Sequence, residues 1–347
     1  MSRVGIILNN IGSPESATPE DVGIYLKEFL MDKEIITLPY LLRYPLVHWL
    51  IVPRRKFSSA LKYKKVWGQK KSPLIEISEA FSNGLQNVFG TDCRVELGMV
   101  NGQPSIERAL KNFKKDGIDQ IFFAPLYPQY AKATTFASTE KLKNIFKKIY
   151  GKESGLSVLK PFYDEPFFIR LSAQKLLADW QTKKYEHILF SFHGLPEAQI
   201  KKNQGCLTTT DCCARAEACA MNCYRAQSIK TANLIADKAG LTKDQYTICF
   251  QSRLGPAKWI GPASIDVVKI LAHKGVKSLL VQTPSFVADC LETLEEISME
   301  LKDEFIHHGG ENLKLVPCLN SDADWIDDFA GLVKKQLNSE NSMSETV

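Results

Sequence analysis

His187-Ile188-Leu189-Phe190-Ser191-Phe192-His193-Gly194-Leu195-Pro196 is the stretch from which the fold can be read. His187–Phe192 is a short apolar and aromatic run, closed by glycine and proline. It predicts a strand whose two faces are both covered, as in parallel sheets, because its apolar residues are nearly continuous rather than alternating. The run delivers a histidine to its carboxyl end. A lone histidine has an ordinary structural reading. At a strand end it can also take a proton near neutral pH or ligate a metal as neutral imidazole.

Similar runs recur outward from this one. Val4–Leu8, Arg94–Met99, Gln120–Pro125 and Leu156–Leu159 precede it; Tyr246–Phe250, Ser278–Gln282 and Leu313–Pro317 follow. Between them lie helical spacings at Ser105–Lys115, Ser138–Tyr150, Phe167–Trp180, Ala226–Ala239, Ile265–His273, Asp289–Phe305 and Ala323–Leu337. Strand–helix alternation argues for parallel sheets covered by helices. The expected fold is therefore α/β, with two Rossmann-like domains, each a four-stranded parallel sheet flanked by helices. The boundary is expected in the Pro-rich, aromatic segment Pro161–Pro166. That gives an N-terminal domain over 1–163, a C-terminal domain over 164–320, a helix over 321–337 and a flexible tail over 338–347.

The chain has 347 residues, 44% hydrophobic and 24% charged, ordinary for a globular protein of two domains. A net charge of +5 and the lack of a dense basic block set nucleic acid aside. No signal-peptide layout or spanning apolar stretch is present, so a cytoplasmic location is expected, and nine cysteines are then not a disulfide framework. No Gly-x-Gly-x-x-Gly or Walker A motif follows any strand, so dinucleotide use is not indicated.

Ligands of open parallel sheets sit at the carboxyl ends of the strands. The segments there are Asn9–Pro14, Tyr127–Tyr130 with Thr134-Thr135, Ser191–Pro196, Gln251-Ser252-Arg253 to Trp259, and Thr283–Phe286. Any one reads as a turn; five together point to a cleft between the domains. Beyond the last, Asp289, Glu292, Glu296 and Glu300 follow i, i+3, i+7, i+11 and would share one helical face. The ordinary reading is a solvated acidic face; the sharper one is a carboxylate track guiding a divalent cation. Leu38–Pro53 is too short to span a membrane yet unusually apolar and aromatic. It reads as a buried helix or as an exposed lip for greasy ligands or a membrane surface, with Arg54 and Arg55 following it.

Taken together, Ser191–Pro196, Gln251–Pro262, Phe286–Ile297, Asn9–Pro14, Ser72-Pro73-Leu74 and Tyr127–Tyr130 resemble the ferrochelatases, in the family's order from about residue 4 to about residue 320. The resemblance implies insertion of Fe²⁺ into protoporphyrin IX to give protoheme, a lyase reaction and the last step of heme biosynthesis. It implies a porphyrin cleft between two Rossmann-like domains. His193 matches the active-site histidine, Glu292 its paired glutamate and Glu296 a further carboxylate; His193 and Glu292 are the expected contacts of the substrate iron, with Glu296 handling iron or relaying protons outward. Ile11, Arg55, Tyr127 and Trp259 match porphyrin-contacting positions. Two departures stand out: Asn101 replaces a common aromatic, and Cys290 stands where animal relatives carry a histidine in the metal track.

Five cysteines, Cys206, Cys212, Cys213, Cys219 and Cys223, fall within 206–223. Clustered thiolates in a reducing compartment read as a metal site, and spacing alone leaves zinc and an iron–sulfur cluster open. Some bacterial ferrochelatases carry a [2Fe-2S] cluster, and this insert resembles an internal version of it. That resemblance makes Cys206, Cys212, Cys213 and Cys223 the ligand set, with Cys219 a fifth candidate. Cys93, Cys249 and Cys318 read as core residues. Porphyrin and ferrous iron are the expected partners, with peripheral contact at the inner membrane face. Coproporphyrin insertion, a cobaltochelatase and a non-catalytic tetrapyrrole-binding or iron–sulfur sensor protein are the rival readings. Oligomeric state stays open.

Overall fold

The computed structural model describes residues 3–344 except 183, 202–205, 207–211, 216–221 and 254–256; side chains are described to 339, leaving out 214 and 215. The chain divides into two compact units. Unit 1 holds Met1–Leu126, Lys132–Lys160 and Asn320–Val347; unit 2 holds Tyr127–Ala131 and Pro161–Leu319.

In unit 1, β1 (Val4–Asn9), β2 (Cys93–Leu97), β3 (Gln120–Pro125) and β4 (Leu156–Val158) form a four-stranded sheet in the order β2-β1-β3-β4. In unit 2, β5 (His187–His193), β6 (Tyr246–Gln251), β7 (Ser278–Gln282) and β8 (Asn312–Leu315) repeat that order as β6-β5-β7-β8. Every pairing is parallel. The α/β class and both sheets agree with the sequence reading. Central strands are sealed on both faces, with Ile6, Ile7, Leu8 and Ile188, Leu189, Phe190 all at 0% exposure. Edge strand β2 alternates buried and half-buried residues, as expected where one face is less covered.

Helix starts follow local chemistry. Thr18 accepts a hydrogen bond from the Asp21 N–H ahead of Pro19–Leu30, and Ser105 does the same for Arg108 ahead of Ile106–Lys115. Pro19 and Pro73 occupy first-turn positions, where a missing N–H costs nothing. The helices Pro19–Leu30 and Pro73–Phe89 were not singled out from the sequence, although Ser-Pro and Thr-Pro starts announced both. The last helix, Ala323–Ser344, packs within unit 1. Trp325 stacks on Phe81 at 5.6 Å, and Phe329 meets the same ring edge-on at 5.4 Å. It continues past the expected end at Leu337, so 338–344 are helical backbone rather than a tail, and 345–347 lie outside the described residues.

One further expectation changes. The acidic segment is not one helix over Asp289–Phe305. It is a turn at Leu291–Leu294, a π-helical stretch at Glu296–Leu301 and a helix at Lys302–His307. The Glu295 carbonyl accepts from both Met299 and Glu300, which widens the turn. The i, i+3, i+7, i+11 face therefore does not survive. Asp289 precedes the turn and is buried, accepting from Thr293 Oγ1, while Glu300 is exposed. Such widened turns are often functional. The apolar segment is helical over Tyr40–Pro45, π-helical over Leu46–Ile51 and helical again over Val52–Val66. Arg43 is buried and donates to the Ile36 and Leu38 carbonyls, so it anchors the segment from beneath.

Candidate functional site

The site in unit 2 grows from the carboxyl ends of β5 and β6. His193 pairs with Gln251 in the sheet register. Its peptide is held on both sides: the N–H donates to Ser285 Oγ at 3.1 Å, and the carbonyl accepts from Tyr224 OH at 2.8 Å. The ring Nδ1 lies 2.7 Å from the Gly194 carbonyl, which can only accept. Nδ1 therefore carries the hydrogen, and in the neutral ring Nε2 holds the lone pair for a proton or a metal. Gly194 must be glycine. A Cβ there would come within 2.6 Å of the Gln251 carbonyl oxygen, and the Gly194 N–H donates to that oxygen at 2.8 Å. The same hypothetical Cβ meets Trp259 at 3.2 Å, which places this indole beside the histidine turn; Trp259 also bridges to Pro196.

Glu292 and Glu296 enter from the segment after β7. Gln251 Nε2 donates to the Glu292 carbonyl at 2.8 Å. Ser252 grips both oxygens of Glu296, through its N–H and its hydroxyl, each at 2.6 Å. Burial pushes the Glu296 pKa up and the Glu292 charge adds to this; the Ser252 bonds and the His193 charge oppose it, leaving a net rise. His193, Glu292 and Glu296 are thus brought into one electrostatic neighbourhood. Cys290 is buried at the head of the segment, where its N–H donates to Thr293 Oγ1 at 3.0 Å. Burial, with the Glu292 carboxylate as second cause, holds its thiol far above the ordinary range.

Ser252, Gln251, Ser285 and Tyr224 were not named as site residues from the sequence. Gln251 ends β6, Ser252 directly follows it and Ser285 lies three residues after β7, which was the available signal. Tyr224 carried none.

Tyr127 also belongs to unit 2. Its hydroxyl is buried without a partner among the described residues, and burial pushes its pKa far up. Its neighbour Gln129 donates to Thr231 Oγ1 at 3.1 Å and to the Pro284 carbonyl at 3.3 Å. Ile11 and Arg55 belong to unit 1. Ile11 is half-buried in the turn after β1, and its carbonyl accepts from Asn101 at 3.1 Å. Asn101 is spent on that turn. Arg55 is half-buried in Val52–Val66. Unit 1 also carries a cavity of about 390 Å³ lined by Asp21, Glu28, Glu107 and Lys141 among others; of the segments at the strand ends, Asn9–Pro14 reaches it through Ser13 and Pro14.

In the cysteine-rich insert, Cys206, Cys212 and Cys223 are buried and Cys213 is half-buried. Cys212 and Cys213 have their sulfurs 3.9 Å apart, and Arg225 Nη1 donates to Cys213 at 3.1 Å. Hydrogen bonding with Cys223 and burial hold the Cys213 thiol well above its usual range. Cys219 lies outside the described residues. Among the described residues no three His, Cys, Asp or Glu side chains converge on one metal position. Cys93, Cys249 and Cys318 are buried, as expected of core residues.

Comparison with known proteins gives concordant results. The ferrochelatase family model matches residues 3–337. The chain is 46% identical over 334 residues to the ferrochelatase of Bdellovibrio bacteriovorus, covering 96% of this chain and 99% of that one. It is 42% identical to the ferrochelatase of Stutzerimonas stutzeri (94% and 96% covered) and 39% identical to that of Coxiella burnetii (97% and 94%). Among solved structures, SirB from Bacillus subtilis with Fe³⁺ superposes with a TM-score of 0.56 at 12% identity, over 98% of both chains, a likeness of fold. With residues 3–337 matched by one family model and relatives above one-third identity over nearly their whole length, the chain belongs to the ferrochelatase family.

Proposed function

We propose that this ferrochelatase inserts Fe²⁺ into protoporphyrin IX, with His193 as proton acceptor and Glu292 and Glu296 as the carboxylates that receive iron. The observation that carries the assignment is the geometry at the end of β6: Gln251 pairs with His193 and donates to the Glu292 carbonyl, while Ser252 holds both oxygens of Glu296. Insertion exchanges two pyrrole N–H protons for one dication and moves no net electrons. A base with a lone pair on Nε2 suits the first requirement. Oxygen donors suit the second, because they can replace the water that Fe²⁺ must shed. Pyrrole nitrogens are shielded in a flat macrocycle, so contacts along its rim must hold it bent. Ile11, Arg55, Tyr127 and Trp259 are the proposed rim contacts. The Tyr127 hydroxyl, which has no partner among the described residues, and the Trp259 indole beside Gly194 support the two in unit 2.

Anaerobic assay of Fe²⁺ insertion into protoporphyrin IX and coproporphyrin, with Co²⁺ as competing metal, tests the reading. Preferred turnover of Fe²⁺ with protoporphyrin IX is expected. Preference for coproporphyrin or Co²⁺ would replace the substrate, and porphyrin binding without insertion would make the chain a binding protein.

The insert is proposed to hold a [2Fe-2S] cluster through Cys206, Cys212, Cys213 and Cys223, with Cys219 as fifth candidate and zinc as the alternative occupant. Burial of three thiols and the closeness of Cys213 to Cys212 and Cys223 support a thiolate-bound group. Such a cluster supplies structure or redox sensing rather than insertion chemistry. Iron and sulfide in the anaerobically purified protein, with visible charge-transfer bands, are expected; zinc without those bands would refute the cluster.

Peripheral contact at the inner face of a membrane, from the cytoplasm, is also proposed. Leu41 is 83% exposed and Trp49 74%, on a segment continued by Arg54, Arg55 and Lys56. Among the described residues no helix is long and apolar enough to cross a membrane. Co-sedimentation with anionic vesicles, lost in Leu41→Ser/Trp49→Ser, is the expected result; equal sedimentation of both proteins would remove the contact.

A further inference from the structure

We infer that Ser252 is a positioning residue for iron capture: it holds the Glu296 carboxylate in one fixed orientation beside the end of β6. The inference rests on the proposed role of Glu296 and adds the residue that orients it. Ser252 directly follows β6 and has a φ of 66°, a left-handed conformation rare for residues with a side chain. In that conformation its two donors reach the two oxygens of one carboxylate, at 2.6 Å each. Short bonds of this kind to a charged acceptor are the strong class, and donors favour the ionised form.

Unfavourable backbone conformations persist where the surroundings over-determine them. Gln251, just before, is held three ways. Its Oε1 accepts from Ser191 Oγ at 2.9 Å, its Nε2 donates to the Glu292 carbonyl at 2.8 Å, and its carbonyl accepts from Gly194 at 2.8 Å. One dipeptide thus ties together the His193 turn, the Glu292 backbone and the Glu296 carboxylate. The widened π turn begins at Glu296, the residue that Ser252 holds. With a donor on each oxygen, Glu296 is suited to attract a dication rather than to pass a proton. The effect of losing the grip should therefore fall on iron and not on porphyrin.

Anaerobic steady-state kinetics with each substrate varied in turn test this. Ser252→Ala removes the hydroxyl and should raise the Fe²⁺ KM about tenfold while leaving the porphyrin KM within about twofold. Ser252→Gly also relieves the positive φ, so it folds even where alanine does not, and should show the same split. Ser252→Thr keeps a hydroxyl and should bring the Fe²⁺ KM back to within about threefold of wild type. An unchanged Fe²⁺ KM in Ser252→Gly, or an equal rise in both KM values, overturns the inference. Glu296→Gln separates the two levels. If it leaves the Fe²⁺ KM unchanged, the role of Glu296 itself falls. If it raises that KM while Ser252→Gly does not, only the role of Ser252 falls.

Discussion

The turns after β1 and β5 occupy equivalent places in two sheets of the same strand order, yet they are built for different work. Both use a glycine where the backbone of the neighbouring strand's continuation comes too close for a side chain. A Cβ on Gly12 would overlap the Asn101 carbonyl oxygen, and one on Gly194 would approach that of Gln251. Around Gly12 the nearest polar side chains are spent on backbone groups: Asn9 Nδ2 donates to the Gly98 carbonyl, Asn10 Oδ1 accepts from Ile11, and Tyr25 donates to the Gly12 carbonyl. Around Gly194 stand an imidazole with its Nε2 lone pair, two glutamates and the Ser252 grip. One repeated backbone device therefore shapes two strand ends, and the side chains decide that only one of them is equipped to exchange protons for a metal.

Variants that break this contrast follow from the largest effect to the smallest. His193→Ala should lower iron insertion by about a thousandfold, the loss expected of a positioned general base, with Tm unchanged because the backbone bonds to Ser285 and Tyr224 remain. Glu292→Gln should lower turnover by roughly a hundredfold and porphyrin affinity far less. Gly194→Ala should cost about tenfold in turnover by displacing the His193 turn. Gly12→Ala should instead act on stability. Its φ of 93° and the overlap with Asn101 should cost about 3 kcal/mol, read as a fall in urea midpoint.

The smallest effect has the opposite sign. Because the folded pKa of Glu296 is raised, the native state binds its proton more tightly than the unfolded chain does. The stability this contributes is present below the ordinary value of 4.5 and is lost as pH rises through the folded value. At pH 7 the buried charge opposes folding, so Glu296→Gln should melt higher than wild type while inserting iron more slowly, and the gap in Tm should close as pH falls below 4.5. Equal Tm values at pH 7 would remove this trade.

What the sequence made legible was what local pattern controls. The central strands were visible as nearly continuous apolar runs and the edge strands as shorter, alternating ones, and the carboxyl end of β5 pointed to His193. The acidic segment was visible as composition but not as geometry. Periodicity assumes a regular helix, whereas the π turn at Glu296–Leu301 and the Ser252 grip are set by tertiary contacts with the end of β6. Tyr224 illustrates the same limit. It secures the His193 carbonyl from a helix 31 residues away, and nothing in its own neighbourhood announces that task. Arg43 is a charged residue within the apolar segment and serves as its anchor, because its guanidinium satisfies the Ile36 and Leu38 carbonyls in the chain before it.

The central claim is that His193 and the glutamates beside it form the insertion centre. Anaerobic single-turnover insertion of Fe²⁺ into protoporphyrin IX, compared between wild type and His193→Ala at saturating porphyrin, tests it most directly. Both proteins should bind porphyrin, and the variant should form the metallated product about a thousandfold more slowly. Insertion by the variant at a near wild-type rate would contradict it.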